Sequence, residues 1–129
     1  MISIRFNTNK FDVTLERPNP INPIHGESLL IWLREQAMPG VEVSEPGAED
    51  WGWYSYVDWK GRAYLLGSTS TSEGENGERE WVLLFEKQHT LKEKLLGRAK
   101  MTKDDACMHF FKELLEREPA FSNMSEDDH

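Results

Sequence analysis

The chain has 129 residues, of which 38% are hydrophobic and 29% are charged, and this is typical of one folded domain with a single core. It carries 15 lysines and arginines against 23 aspartates and glutamates, so its formal net charge is −8. A nucleic-acid partner is not expected, because phosphate backbones select basic surfaces. The single cysteine excludes an internal disulfide.

No apolar run approaches the roughly 20 residues that a transmembrane helix needs, so no membrane association is expected. The first residues alternate between apolar and polar types and do not form the apolar core of a signal peptide. We therefore expect a cytoplasmic protein.

The N-terminal region predicts a β-hairpin that leads into a stiff connector. Apolar and polar residues alternate over residues 2–6 and again over residues 11–15, on either side of an Asn-rich turn. Alternation with a period of two is typical of strands with one solvated face. The connector contains Pro18, Pro20 and Pro23, and proline lacks a donor N–H, which excludes this segment from helices and inner strands.

Residues 27–38 predict the first helix. Leu29, Leu33 and Ala37 repeat every four residues and give the segment a broad apolar face. The following Pro39-Gly40 ends the helix. A short strand is expected over residues 41–44 and a loop over residues 45–50.

Residues 51–59 (WGWYSYVDW) predict the first strand of an aromatic hairpin. The turn at residues 58–61 has Asp at its first and Gly at its fourth position, which favours a type I turn. In that register Asp58 pairs with Arg62 and Tyr56 with Tyr64. A two-residue turn at Lys60-Gly61 would shift the pairing by one residue and change which side chains meet. The sequence alone leaves this alternative open.

The second half of the chain predicts one more strand and two helices. Residues 68–79 are polar and glycine-rich and are expected to form a long loop, whereas residues 80–87 are apolar on both sides and fit an inner strand. Capping boxes beginning at Thr90 and Thr102 open two helices. Residues 122–129 are expected to be a disordered acidic tail, which leaves residues 1–121 as a single domain. The order of elements favours an α+β fold, with one antiparallel sheet of about five to six strands and helices on one face.

No catalytic, metal or cofactor motif stands out, and no cofactor or metal is expected. The glycine-rich segment 67–77 lacks the Gly-Lys-Ser/Thr ending of a phosphate-binding loop. Asp105 and His109 lie four residues apart on one predicted helix and would supply only two metal ligands, so a surface pair is favoured. Cys107 falls on the apolar face of that helix and is interpreted as a buried side chain rather than a nucleophile.

Residues 26–33 (GESLLIWL) and 44–54 (SEPGAEDWGWY) resemble segments of small bacterial proteins of uncharacterised function. In those proteins a helix is followed by a Glu-Asp-Trp-Gly-Trp segment and a β-hairpin. The resemblance covers roughly residues 26–67. It implies a bacterial cytoplasmic protein and supplies no activity, cofactor or site residue.

The favoured functional hypothesis is a non-enzymatic interaction module that binds a protein partner through the tyrosine face of the hairpin. Large, rigid side chains with polar tips are typical of binding surfaces, and the net acidity favours a basic partner. An immunity protein or a secretion chaperone would have this size and charge, by analogy alone. The predicted partner-binding residues are Tyr54, Tyr56, Trp59, Arg62 and Tyr64.

Two alternatives remain open at the level of sequence. The same aromatic face is a candidate for homodimerisation. The other alternative is a small-ligand-binding protein or an enzyme with a pocket between the sheet and the first helix. Its mouth would carry Glu49, Asp50, Trp53 and His25, because a carboxylate beside an indole is a candidate for acid–base chemistry.

Overall fold

The computed structural model describes residues 1–73, 77–88 and 101–128. Within these ranges the chain forms one antiparallel sheet of seven strands and two α-helices. The predicted α+β class is thus confirmed, with a slightly larger sheet, and the helix expected from Thr90 lies outside the described residues. The elements are β1 (Ile2–Thr8), a 3-10 helix (Val13–Leu15), α1 (Glu27–Glu35), β2 (Val41–Val43), β3 (Gly47–Glu49), β4 (Gly52–Trp59), β5 (Arg62–Glu73), β6 (Arg79–Lys87), α2 (Ala106–Arg117) and β7 (Ser122–Asp128).

The strands lie in the order β2-β4-β5-β6-β1-β7, and β3 pairs with β4 beyond the end of β2. The central strand β6 lies between β5 and β1, as its apolar residues on both sides predict. Every pairing is antiparallel.

Both described helices pack on the same face of the sheet. Helix α1 contacts β2, β4 and β5. From α2, Phe111 packs at a tilt against Phe85 of β6 and Phe110 against Trp59 of β4, with ring centroids 6.2 and 5.4 Å apart. The core between helices and sheet is built from alternate strand residues and the apolar helix faces; its largest fully buried side chains include Trp81, Phe6, Phe85, Phe111, Ile2, Ile4, Leu29, Leu33 and Leu66.

The predicted second strand of the N-terminal hairpin is wrong. Residues 11–15 contain a 3-10 helix, which Asp12 opens by accepting a hydrogen bond from the backbone N–H of Thr14 at 3.0 Å. Phe11 packs edge-on against Trp81, with ring centroids 5.0 Å apart. Its apolar character therefore reflects packing over the core rather than strand pairing, and β1 pairs instead with β6 and β7.

The predicted disorder of the acidic tail is also wrong. Residues 122–128 form the edge strand β7, in which Glu126 lies opposite Ile4 of β1. The Lys112 ammonium of α2 forms an ion pair with Glu126 Oε1 at 2.9 Å. Backbone pairing and this charge contact hold a strand whose side chains are almost all polar, and hydrophobic periodicity does not detect such a strand.

The polar segment after Gly67 is not a long loop. Strand β5 continues to Glu73, and Ser68 and Ser70 of this strand are buried where they meet backbone groups. The hydroxyl of Ser68 donates to the carbonyl oxygen of Gly26 at 2.7 Å, and that of Ser70 donates to Glu80 O at 2.8 Å. Burial of a hydroxyl costs little free energy when the hydroxyl has a hydrogen-bond partner. A polar sequence can therefore form an inner strand here.

Two smaller boundaries differ from expectation. The predicted loop 45–50 contains β3, which pairs with the first residues of β4. The last helix begins later than its predicted capping box, because Asp105 rather than Thr102 is the N-cap and accepts a hydrogen bond from Cys107 N at 2.9 Å.

The hairpin takes the shorter of the two turns. Lys60 and Gly61 have φ angles of 50° and 89°, and two central residues with positive φ are required for a type I′ turn, whose twist matches that of the strands. Trp59 consequently pairs with Arg62 and Val57 with Tyr64. The register that the type I turn predicts, with Asp58 opposite Arg62, is wrong. The shift of the pairing by one residue places Tyr64 on the other face of the sheet from Tyr54 and Tyr56.

Candidate functional site

The five predicted partner-binding residues lie on two different faces of the sheet. Tyr54 and Tyr56 point away from the helices and contact each other edge-on, with ring centroids 5.5 Å apart. Trp59, Arg62 and Tyr64 belong to the alternate positions of β4 and β5 that face the helices. The predicted single tyrosine face therefore does not form.

Tyr64 is part of a buried polar contact rather than a binding surface. Only 5% of its surface is exposed, and its hydroxyl donates to Asp105 Oδ2 at 2.9 Å. The ammonium of Lys87 lies 3.3 Å from the same carboxylate oxygen. Burial and the neighbouring carboxylate raise the pKa of the Tyr64 phenol, so it remains a neutral donor that fixes the start of α2 to the sheet.

Trp59 and Arg62 are also engaged within the fold. The Trp59 ring is half-buried against Phe110, and the Lys60 ammonium lies 5.3 Å from its centroid. Arg62 Nη2 donates to the carbonyl oxygen of Gln88 at 2.9 Å. Of the predicted set, Tyr54 and Tyr56 alone lie on the opposite face.

That opposite face, here called the open face, is covered by neither α1 nor α2. It consists of the alternate residues of β4, β5, β6 and β1 that point away from the helices, together with Trp51. Among the described residues, 55% of the surface of Tyr56 and 37% of that of Trp51 are exposed on it. Its apolar centre comprises Trp51, Tyr54, Tyr56, Leu65, Val82 and Leu84.

Trp51 lies on the open face although it is not among the predicted partner-binding residues. Its ring lies over Gly67, where a Cβ atom would come within 2.8 Å of two of the ring carbons and 3.2 Å of Leu84 Cδ1. Only glycine at this position of β5 leaves room for the indole. A glycine inside an otherwise regular strand often marks such a close approach, and this was the available signal.

A shallow slot of about 320 Å³ lies beside the Trp51 ring. Most of its lining among the described residues is apolar, and the charged groups beside it are the Glu86 carboxylate, whose side chain is 35% exposed, and the Met1 ammonium, 4.0 Å from that carboxylate. The lining residues are Met1, Trp51, Leu65, Gly67, Leu84 and Glu86. A second depression, of about 390 Å³, continues from Met1 and Leu84 toward Arg5 and Glu80.

Carboxylates predominate around the open face. Glu42 and Asp58 lie side by side on β2 and β4, on the side of those strands that points away from the buried valines of β2. Arg5 lies 3.2 Å from Glu80 and 4.0 Å from Asp127. The ammonium of Met1 lies 4.0 Å from Glu86 Oε2. Counted over the described residues, the local charge of this face is thus negative, in keeping with the whole chain.

The four residues predicted for a catalytic or ligand pocket have structural contacts instead. Trp53 is buried, and its Nε1 donates to Ile24 O at 3.0 Å. His25 Nδ1 lies 3.3 Å from Glu16 Oε1. Glu49 and Asp50 offer their backbone carbonyls to the side-chain amides of Asn19 and Asn22, at 3.0 and 2.9 Å.

The connector therefore packs against the region in which the pocket was expected. A depression of about 330 Å³ beside His25 is lined by residues of the segment 13–25. The carboxylate of Glu16 is already engaged within the fold. It accepts hydrogen bonds from Gly26 N and Ser28 N, at 3.1 and 2.8 Å, at the N-terminal end of α1.

The candidate metal and nucleophile residues are also structural. Cys107 is buried, as predicted, and burial raises the pKa of its thiol to about 12. Asp105 is occupied as the cap of α2. Within the described ranges, no group of three or more His, Cys, Asp or Glu side chains is arranged to hold a metal ion, and no helix is long and apolar enough to span a membrane.

Comparison with known proteins does not add to this picture, since no family model, no curated protein and no solved structure matches the chain.

Proposed function

We propose that this protein is an interaction module that binds a protein partner through the open face. The observation that carries the proposal is the pair of large aromatic side chains, Trp51 and Tyr56, exposed together on a sheet face that neither described helix covers. The half-buried Leu65 and Leu84 lie on the same face beside these two aromatic residues. Contiguous apolar surface with aromatic residues is typical of protein-binding sites.

The two aromatic residues suit such a role because of how they are held. Trp51 rests on Gly67 and Leu84, and Tyr56 is held edge-on by Tyr54. Rigid aromatic side chains lose little conformational entropy on binding and bring a large area plus a polar tip. The proposed binding residues are accordingly Trp51, Tyr54, Tyr56, Leu65 and Leu84, and no longer Trp59, Arg62 and Tyr64.

The small size and the acidity of the chain are similar to those of two classes of binding protein. Immunity proteins and secretion chaperones are small proteins that act by covering the surface of another protein, and the analogy rests on size and charge. In that role the protein would act by covering a surface of its partner and would catalyse no reaction.

The proposal is tested by isolating a binding protein from the source cells and measuring its affinity as a purified protein. Trp51→Ala and Tyr56→Ser are each expected to weaken binding at least about tenfold, because central aromatic residues dominate interface energies. Ile31→Ala is the matched control, since Ile31 is an exposed apolar residue on α1. A purified partner that binds both open-face variants as tightly as the wild type, while Ile31→Ala weakens it, would contradict the proposal.

A further inference from the structure

We infer, on the basis of the proposed function, that the slot beside Trp51 receives a lysine or arginine side chain from a basic segment of the protein partner. The slot combines a largely apolar lining with the partly exposed carboxylate of Glu86. A basic side chain has the matching construction, with an aliphatic stem that packs on apolar surface and a charged head that stays at the water boundary.

The geometry of the slot provides a place for each part of that side chain. Leu65 and Glu86 are directly paired across β5 and β6, so the carboxylate stands next to the apolar floor. Leu84 precedes Glu86 on the same face of β6 and borders the Trp51 ring. A stem lying along Leu84 and Leu65 would therefore bring its cationic end to Glu86.

The indole adds a second attraction for a cation. The exposed part of Trp51 forms a wall of the slot, and a cation within about 6 Å of an indole face is stabilised by the ring quadrupole. The structure already holds one ammonium at this rim, that of Met1, 4.0 Å from Glu86 Oε2. That distance is the outer limit of an ion pair and both groups are partly exposed, so the contact is a weak one for Glu86.

The surrounding charges favour a basic partner over a second copy of this chain. Glu42, Asp58, Glu80 and Asp127 lie around the same face, with Arg5 between the last two. Two copies facing each other through the open face would bring like charges together, which costs free energy. A partner segment rich in lysine or arginine reverses the sign of this interaction.

The inference is tested with the untagged full chain and random peptides displayed on phage as the probe. Peptides selected on the wild type are expected to be enriched in lysine and arginine relative to the unselected library. The strongest binder is then synthesised with its conserved basic residue as lysine and as norleucine, which keeps the stem and removes the charge. Affinities of both peptides are measured for the wild type and for Glu86→Gln.

The expected result is a coupling between the two charges. Loss of the lysine charge weakens binding to the wild type about fivefold, and weakens binding to Glu86→Gln much less. Glu35→Gln, a matched change at an exposed carboxylate on α1, is expected to behave as the wild type. Thermal unfolding of each variant confirms that its fold is intact.

Two other results separate this inference from the proposed function. If the peptides lose affinity for Trp51→Ala but show no basic enrichment or no coupling to Glu86, the open face binds and the basic side chain is refuted. If no peptide is selected, or the selected peptides bind Trp51→Ala and Glu86→Gln as tightly as the wild type, both the inference and the proposed use of the open face are overturned.

Discussion

The indole of Trp51 occupies the space that a Cβ atom on Gly67 would fill, so the exposed ring and the strand glycine form one fitted pair on the open face. The atoms that a Cβ would meet are the far ring carbons of Trp51 and one methyl of Leu84, at 2.8 and 3.2 Å. Both are ends of side chains rather than backbone. They can move without unfolding the sheet.

We therefore expect Gly67→Ala to displace the Trp51 ring and leave the fold intact. The free energy of unfolding should change by less than about 1 kcal/mol, because alanine is favoured over glycine in a strand and offsets part of the crowding. Binding through the open face should weaken about tenfold. Urea unfolding, the chemical shift of the Trp51 indole N–H and peptide affinity measure the three quantities.

Thr69→Ala is the control for that substitution, since Thr69 lies two residues along the same strand on the same face. It removes atoms instead of adding one beside Trp51. An unmoved Trp51 resonance in Gly67→Ala would show that the ring is not held by its contact with Gly67.

The pKa shifts of Cys107 and Tyr64 predict a loss of stability at alkaline pH. Burial raises the pKa of the Cys107 thiol from 9.0 to about 12, and it raises that of the Tyr64 phenol above its ordinary value of 10.0. The unfolded chain therefore releases these protons at lower pH than the folded protein. The associated stability is complete below about pH 9 and falls as pH rises toward the folded pKa values, by about 1 kcal/mol per pH unit for each group.

Urea unfolding at a series of pH values from about 8 to 11 measures this decline. Cys107→Ala should remove the part that begins near pH 9, and Tyr64→Phe should leave that part and remove the later one. A decline that is the same in all three proteins would contradict the assignment to these groups.

Glu16 is expected to be important for stability although it lies outside regular secondary structure. Its buried carboxylate accepts hydrogen bonds from Gly26 N, Ser28 N and the hydroxyl of Ser28 at the start of α1. Glu16→Ala should lower the free energy of unfolding by about 2–3 kcal/mol, because it removes the cap and leaves buried donors without a partner.

Chemical denaturation compares Glu16→Ala with Glu45→Ala, which changes an exposed carboxylate 3.8 Å from Arg34 Nη1. The latter should cost less than about 1 kcal/mol, as exposed ion pairs contribute little. Equal effects of the two substitutions would argue against a capping role for Glu16.

Removal of residues 122–129 tests the assignment of β7. The shortened chain should be destabilised by about 2 kcal/mol, since it loses the β1–β7 hydrogen bonds and the half-buried Met124. It should also self-associate, because β1 then becomes an uncovered edge. Thermal unfolding and sedimentation velocity measure the two effects, and a shortened chain that is as stable and as monomeric as the full chain would make β7 dispensable.

Hydrophobic patterns predict the inner elements of this fold well. The alternation at Ile2, Ile4 and Phe6, the apolar run of β6 and the four-residue repeat of α1 each identify an element that is buried on the expected side. These patterns report burial and say little about which strand is the neighbour. For this reason they predict a strand at Phe11 and a disordered tail at Glu126, and both predictions are wrong.

The candidate site was predicted only in part because it depends on one residue of register. The sequence allows a type I turn over residues 58–61 or a type I′ turn over residues 59–62, and the difference decides whether Tyr64 is buried or exposed. The predicted binding residues include Tyr56, which lies on the open face, but they omit Trp51. Its exposure follows from a contact with Gly67, sixteen positions along the chain, which no local pattern encodes.

The position of β1 between β6 and β7 has a consequence for the order in which the chain folds. The Ser122 hydroxyl donates to Asn7 O across a separation of 115 residues, so this part of the ladder closes a loop almost as long as the chain. Long-range pairing of this kind gives a high contact order, and refolding is expected to take milliseconds to seconds. Strand β7 should acquire its protection from hydrogen exchange last, after the hairpin of β4 and β5 has formed.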